Sequence, residues 1–269
     1  MPTLLKLGGE LLEDDAAMAA AAEGIVRLAE GGPLVVVHGG GRAIDAEMRA
    51  RGQTPVFVDG LRVTDQAALD AVVSVLAGRA NTALVAAVGV AGGRAVGLTG
   101  ADGLIGLSAV APPLTTVDGR VFDLGLVGEP IGRDATLLLD LVRVGCIPIV
   151  ASVGVDRTGA RLNVNADVLA AHLAAVIGAR RLIVAGTTPG VLDADGRTIA
   201  TLGVDEIDGM AATGTAHSGM IAKLQACRRA IVRGVGEVLI VTGRVSGALD
   251  EAPGTRIVSE KPAAQAARG

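Results

Sequence analysis

Only three of the 24 basic residues are lysines, Lys6, Lys223 and Lys261, and the other 21 are arginines. Lysine is ordinarily among the commonest residues, so the positions where a compact ammonium is kept instead of a guanidinium fork are informative. Lys6 lies in an apolar run and is followed by Leu7-Gly8-Gly9. Paired glycines let backbone N–H groups approach an anion without Cβ obstruction, and the ammonium can stand beside the same anion. Taken alone, the motif also describes a glycine turn with a snorkelling lysine. Lys223 closes Ser218-Gly219-Met220-Ile221-Ala222-Lys223, which opens a helical pattern with Met220, Leu224, Cys227 and Ile231 on one apolar face. This spacing predicts Lys223 in the first turn, the positive end of the helix dipole. A cation there is unfavourable unless an anion shares the site, which favours function over a solvated surface lysine.

Asparagine is equally scarce, with Asn81, Asn163 and Asn165 alone. Two of them fall in Leu162-Asn-Val-Asn-Ala-Asp167, on one face if the segment is extended, with Asp167 near a helix start. An N-cap accounts for one of these polar residues but not all three. Val35-Val-Val-His38-Gly39-Gly40-Gly41-Arg42 reads as strand, glycine loop and helix, an arrangement that binds anions beyond the carboxyl end of a parallel strand. It has neither GxGxxG nor Walker A spacing, so a conventional NAD or P-loop site loses support. For His38 a structural role is favoured. Arg62, in Asp59-Gly-Leu-Arg-Val-Thr-Asp65, could grip a carboxylate with its planar fork, although one turn arginine among so many is usually a surface ion pair.

Together, Lys6-Leu-Gly-Gly, His38-Gly-Gly-Gly, Gly60-Leu-Arg-Val-Thr, Asn163-Val-Asn-Ala-Asp and Gly219-Met-Ile-Ala-Lys resemble the amino-acid kinase family, in the family's order. The resemblance runs from about residue 3 to residue 258 and includes Gly254-Thr-Arg-Ile257. The Arg62 and Asn163 motifs are similar to those of the branch that phosphorylates N-acetyl-L-glutamate in arginine biosynthesis. The resemblance implies ATP with Mg²⁺ held mainly by its phosphates, Lys6 and Lys223 on the transferring phosphoryl group, and Asp167 holding the lysines. It implies Gly40, Gly41, Arg62 and Asn163 on N-acetyl-L-glutamate. Gly8, Gly9, Gly219 and the segment Thr187, Thr188, Pro189, Gly190, Val191 and Leu192 would lie on the nucleotide. Thr187 stands where the family usually has Asp, and Arg42 where many members have Pro. Rival readings are a related kinase of carrier-linked or acetylated α-aminoadipate in lysine biosynthesis, and a non-catalytic metabolite sensor. Arginine-inhibited hexameric members carry an N-terminal extension, whereas here the Lys6 strand starts at once, as in the smaller dimeric kind. The expectation is a cytoplasmic homodimer.

The elements that must position these residues are legible as short apolar runs between alanine-rich helical patterns: Thr3–Leu7, Leu34–Val37, Ile147–Val150, Leu182–Val184 and Val238–Val241. Runs apolar on both faces predict an α/β fold with an open, mainly parallel sheet between helix layers, a three-layer sandwich. Val56–Thr64 and Ser108–Leu126, around Asp118-Gly119, read as hairpin excursions, and Asp193–Gly196 as a further turn. No Pro/Ser-rich linker interrupts the chain. The expected division is an N-terminal lobe over 1–178 for the acyl amino acid and dimerisation, a nucleotide lobe over 179–258, and a loose tail over 259–269.

Composition narrows the classes further. Half of the residues are apolar, the formal charge is −4, and the aromatics are Phe57 and Phe122 alone, which excludes disorder and disfavours a nucleic-acid surface. Mean hydropathy is +0.53, yet no uncharged run approaches the roughly 20 residues of a spanning helix. Acidic residues from Glu10 to Asp15 oppose a signal peptide. Cys146 and Cys227 have no metal or redox spacing, so no metal site is expected on the protein itself.

Overall fold

The computed structural model describes residues 1–116, 119–213, 218–244, 249 and 251–260. Asp118 of the expected turn, residues 261–269 of the expected tail and, with them, Lys261 lie outside the described residues. Eight strands form one sheet: β1 (Thr3–Leu7), β2 (Leu34–His38), β3 (Ala95–Thr99), β4 (Ile147–Ala151), β5 (Arg181–Gly186), β6 (Thr201–Gly203), β7 (Glu237–Thr242) and β8 (Gly254–Val258). Their spatial order is β6-β8-β7-β5-β1-β2-β4-β3. All pairings are parallel except β7 with β8. The expected sheet class is found, and the strands named from sequence fall within β1, β2, β4, β5 and β7. Strands β3, β6 and β8 are less apolar or shorter and gave no comparable run.

Helices cover both faces: α1 (Asp15–Glu30), α2 (Gly41–Ala50), α3 (Gln66–Val73), α4 (Asn81–Val90), α5 (Thr136–Arg143), α6 (Ala166–Val176), α7 (Val204–Thr213) and α8 (Ser218–Val232). Strand alternation divides the core. Leu5, Leu7, Val36, Ile149 and Ile183 pack with Ile25 of α1 and Leu84 of α4. Leu4, Val37, Val150, Val184 and Ile240 pack on the other face with Leu169 of α6 and Leu224 of α8. Lys6 has the parity of Leu4, so its side chain leaves β1 on the α6–α8 face.

The predicted excursions are ribbons on this frame. Phe57–Val58 pairs with Leu61–Arg62, and Leu114–Thr115 with Val121–Phe122. Ser108–Val110 pairs with Gly128–Pro130, just beyond the expected excursion, and Val153–Val155 with Arg161–Asn163 in a ribbon not expected from the sequence. Helices α3 and α4 join through a π-helical segment, Ser74–Ala80. The resulting helix of 25 residues is long and apolar enough to cross a membrane by length and composition. It carries Asp70 and Arg79, and Leu69, Val72, Leu76, Leu84 and Val88 are buried against the domain. One face of it is packed on the domain.

Candidate active site

The carboxyl ends of the central strands converge on glycine loops, as open parallel sheets arrange their ligand sites. Gly8 N–H donates to the Ala185 carbonyl and Gly39 N–H to that of Leu7, so each loop continues the sheet ladder. The loops then touch. A Cβ on Gly9 would meet Gly40 Cα, and one on Gly40 would lie 2.8 Å from Leu76 Cδ2. Backbone packing thus requires glycine at Gly9 before any ligand is considered, whereas a side chain at Gly40 would displace the end of Leu76.

Beneath this junction Lys6 Nζ lies 3.0 Å from Asp167 Oδ1, with both side chains largely buried. Asn165 caps α6, its side-chain oxygen accepting the N–H groups of Asp167 and Val168. The cap fixes the first helical turn and sets Asp167 towards β1. Burial would push the Asp167 carboxyl up, but Lys6 and Lys223 outweigh it and hold the pKa below the usual carboxylate value. Burial likewise disfavours the Lys6 ammonium, yet Asp167, with a smaller contribution from Glu10, raises its pKa overall. The pair is ionised at neutral pH. Nearby Cys227 is pushed up to about 12 by burial and by Asp167, so it remains a thiol.

His38 is structural, as expected, and its partner is Asn81. Asn81 Nδ2 lies 3.1 Å from His38 Nε2 and donates to the Ile149 carbonyl at 2.9 Å. With Nε2 accepting, Nδ1–H is the donor to the Gly39 carbonyl at 3.1 Å. Burial lowers the His38 pKa to about 4, so the ring is neutral and pins the glycine loop.

Arg62 and Asn163 border the same cleft of about 240 Å³ as Lys6, Gly40, Gly41 and Asp167. Arg62 is held from several sides. Its guanidinium lies 2.6 Å from Asp45 Oδ1, donates to the Gly41 carbonyl at 3.2 Å and stands 4.7 Å from the Phe57 ring centroid. Asn163 Nδ2 donates to Thr64 Oγ1 at 3.0 Å. Two ribbons and strand β1, backed by α2 and the capped α6, thus hold an arginine fork, an amide and an ammonium around one small volume. That combination can bind a carboxylate and receive negative charge at its other end. A larger cavity of about 650 Å³, lined by Arg133, His172 and Arg233 among others, contains none of the motif residues.

The second half of the site is built differently. Lys223 is the sixth residue of α8 as described, hence in its second turn and not its first; the dipole argument fades over that distance. It still approaches the site: an ideal Cβ on Gly186 would lie 3.6 Å from Lys223 Nζ and 3.2 Å from Glu10 Oε1. Gly219 is exposed at the start of α8, and residues 214–217 lie outside the described residues. In the 187–192 segment, Thr187 N–H donates to Glu10 Oε1 at 3.3 Å and Val191 N–H to Thr255 Oγ1 at 2.8 Å. Val191 is buried, Leu192 is 40% exposed, and Thr188 and Pro189 are exposed. None of these six residues borders the cleft that holds Arg62.

A family model described as the amino acid kinase family matches residues 1–242. The chain belongs to that family. The acetylglutamate kinase of Nitratidesulfovibrio vulgaris is 36% identical over 98% of this chain and 89% of its own length. That of Methanothermobacter thermautotrophicus is 39% identical over 91% and 87%. Among solved structures, N-acetylglutamate synthase of Neisseria gonorrhoeae, complexed with coenzyme A and N-acetyl-glutamate, superposes with a TM-score of 0.83 at 25% identity. This chain spans 60% of that synthase chain, with 97% of its own length covered. Carbamate kinase from Giardia shares the fold at a TM-score of 0.67 and 14% identity, covering 96% of this chain and 99% of its own.

Within this amino acid kinase, three contributors gave no clear sequence signal. Asp45, one turn into α2, pairs with Arg62. Asn81, the third asparagine, serves the glycine loop through His38. Glu10 follows Gly8-Gly9 directly, and its position beside a glycine pair was the available signal. Among the described residues no group of three or more His, Cys, Asp or Glu could hold a metal. A divalent cation here therefore needs phosphate oxygens for most of its ligands, the ordinary situation for Mg²⁺. The Glu10 carboxylate beside the glycine loops fits that arrangement.

Proposed function

We propose that this kinase phosphorylates the γ-carboxylate of N-acetyl-L-glutamate with ATP, giving N-acetyl-L-glutamyl 5-phosphate for arginine biosynthesis, as a cytoplasmic homodimer. The observation that carries the reading is the buried Lys6–Asp167 pair, which borders the Arg62–Asn163 cleft and lies close enough to Lys223 for that ammonium to depress the Asp167 pKa. Full-length likeness to acetylglutamate kinases supports the substrate.

In this reading Arg62 takes the α-carboxylate, Asn163 fixes the acyl amino acid, and the Gly40 and Gly41 backbone faces the substrate at the α2 N-terminus. Lys6 and Lys223 stabilise charge on the transferring phosphoryl group from its two sides, and Asp167 keeps Lys6 charged and oriented. Gly8, Gly9, Gly219 and the 187–192 loop receive the nucleotide. A γ-carboxylate oxygen forms a bond to the γ-phosphorus while the β–γ bridging P–O bond breaks and its electron pair leaves with ADP. No proton moves, because a glutamate-type carboxyl, which ordinarily titrates at about pH 4.3, is already ionised at neutral pH. Two anions must meet, so the requirement is charge stabilisation and positioning, not base catalysis. Mg²⁺ bound with ATP would offset part of the phosphate charge.

A coupled ADP-release assay with N-acetyl-L-glutamate, N-acetyl-α-aminoadipate, aspartate and carbamate tests the substrate. N-acetyl-L-glutamate should give the fastest turnover; turnover with another acid and none with this one would overturn the assignment. The dimer reading is supported by the unpaired outer edge of β3 and by Val90, 92% exposed at the end of the adjacent α4. Sedimentation should give twice the chain mass, and a monomer at micromolar concentration would contradict it.

A further inference from the structure

The Glu10 carboxylate sits where the chemistry predicts an incoming anion. It lies directly over Gly8, whose Cβ, if present, would fall 2.5–2.6 Å from its carboxylate atoms. On its other side it approaches Gly186, at the carboxyl end of the neighbouring strand β5, and accepts the Thr187 N–H at 3.3 Å. It thus covers two glycines and occupies one of the backbone donors that an anion bound at these strand ends would use. The short 3₁₀ turn Gly9–Leu11 that follows β1 carries it there.

The charges around it make this placement consequential. The charged groups beside it are Lys6 and Lys223, which both also act on Asp167, with Cys227 remaining a thiol. Two ammonium groups against two carboxylates leave this cluster with no net positive charge. A bare polyphosphate would meet a neutral cluster with a carboxylate in front. Among the described residues Glu10 has no ion pair within 4.0 Å, whereas Asp167 is already paired with Lys6. Glu10 is therefore the carboxylate available to a new cation. Mg²⁺ is commonly bound through one or two carboxylates plus substrate phosphates, and such a cation turns the repulsive contact into a bridge.

We infer that Glu10 makes nucleotide binding conditional on a divalent cation, by repelling the bare polyphosphate from the Gly8–Gly186 cradle and by supplying a protein ligand to the metal–nucleotide complex. The inference rests on the proposed nucleotide site and adds a protein ligand to a cation that the family resemblance leaves mainly to the phosphates.

The test is calorimetric titration of the intact chain with ATP in excess Mg²⁺ and with ATP in EDTA, without the acyl amino acid. The unmodified protein should prefer the magnesium complex by roughly tenfold or more, and Glu10→Gln should shrink that ratio at least about threefold, chiefly by tightening metal-free ATP. Glu10→Asp, which keeps the charge on a shorter arm, should retain more of the preference than Glu10→Gln. With Mn²⁺ in place of Mg²⁺, the electron paramagnetic resonance spectrum of the bound metal–ATP complex should change in Glu10→Gln. Circular dichroism and the melting temperature establish that each variant is folded. An unchanged ratio with ATP binding intact would overturn the role of Glu10 and leave the kinase reading standing. Failure of the unmodified chain to bind ATP in either form would overturn the nucleotide reading and this inference with it.

Discussion

The proposed acyl-acid half and the proposed nucleotide half of the site are built from different materials. Around the Arg62 cleft, side chains form the site and each is held by another: Arg62 by Asp45 and Gly41, Asn163 by Thr64, and Lys6 by Asp167. These residues come from strands, a ribbon and a capped helix, so their positions are set by elements that fold for other reasons. Around Gly186 and the 187–192 loop, backbone groups predominate, and Lys223 reaches in from α8 without an ion pair within 4.0 Å among the described residues. One half is preorganised by polar partners. The other is a glycine-lined cradle with few side-chain partners. The two lysines show the same contrast: Lys6 is held in a buried ion pair with Asp167, whereas Lys223 has no ion pair within 4.0 Å among the described residues, so in the proposed mechanism only Lys6 has a structural part as well.

Removing Lys6 should give the largest effect. Lys6→Met leaves the buried Asp167 carboxylate without its partner, which costs about 3 kcal/mol or more of stability, and turnover should fall by at least about a hundredfold. Lys6→Arg should not restore turnover, because the broad fork does not fit the seat of a compact ammonium. Thermal melting and steady-state kinetics read both effects. Lys223→Met sharpens the contrast: turnover should also fall by about a hundredfold or more, while the melting temperature stays close to that of the unmodified chain. Equal destabilisation in the two variants would break the comparison.

Next in size is Arg62→Lys, which keeps the charge but loses the fork. The KM for N-acetyl-L-glutamate should rise about tenfold or more, with kcat and the KM for ATP much less affected. A rise in the ATP KM of the same size would mean that the two halves are not separable.

Two further effects are read from pH. Asp167 has its folded pKa held below 3.8, so the stability that it contributes is present above that value and is lost as pH falls through the folded pKa. Lys6 has its pKa raised above 10.5, so its contribution is complete below that value and is lost as pH rises through the folded pKa. Between these limits the pair adds no slope. His38 titrates inside the accessible range: its pKa falls from 6.5 to about 4 on folding. The unfolded chain binds the extra proton in that window, so stability should decline as pH drops through it, by about 3 kcal/mol in total. Denaturant unfolding at pH 7 and pH 4.5 measures this, and His38→Gln should remove most of that slope.

The sheet was legible because strands buried on both faces cannot hide their composition: β2 and β4 are apolar in unbroken runs, whereas β6 has three residues and the edge strand β3 is only partly buried. In the site, scarcity and motif order pointed to Lys6, Asp167 and Asn163, residues that protein surfaces seldom need in that pattern. Asp45 and Asn81 were hidden because a helix carboxylate and a lone amide look ordinary until the fold brings Arg62 and His38 against them. The placement of Lys223 one turn deeper in α8 than its motif implied also required the structure, since helix starts are marked by backbone capping that Ser218-Gly219 does not fix uniquely.

The central claim is that one ammonium from each half acts on the same phosphoryl group in N-acetyl-L-glutamyl phosphate synthesis. Hydroxylamine converts an acyl phosphate to a hydroxamate with release of phosphate, which allows the product to be measured directly. Hydroxamate formation by the unmodified chain should depend on both ATP and N-acetyl-L-glutamate, and it should be lost in folded Lys6→Met and folded Lys223→Met alike. Undiminished hydroxamate formation by Lys223→Met would contradict the claim.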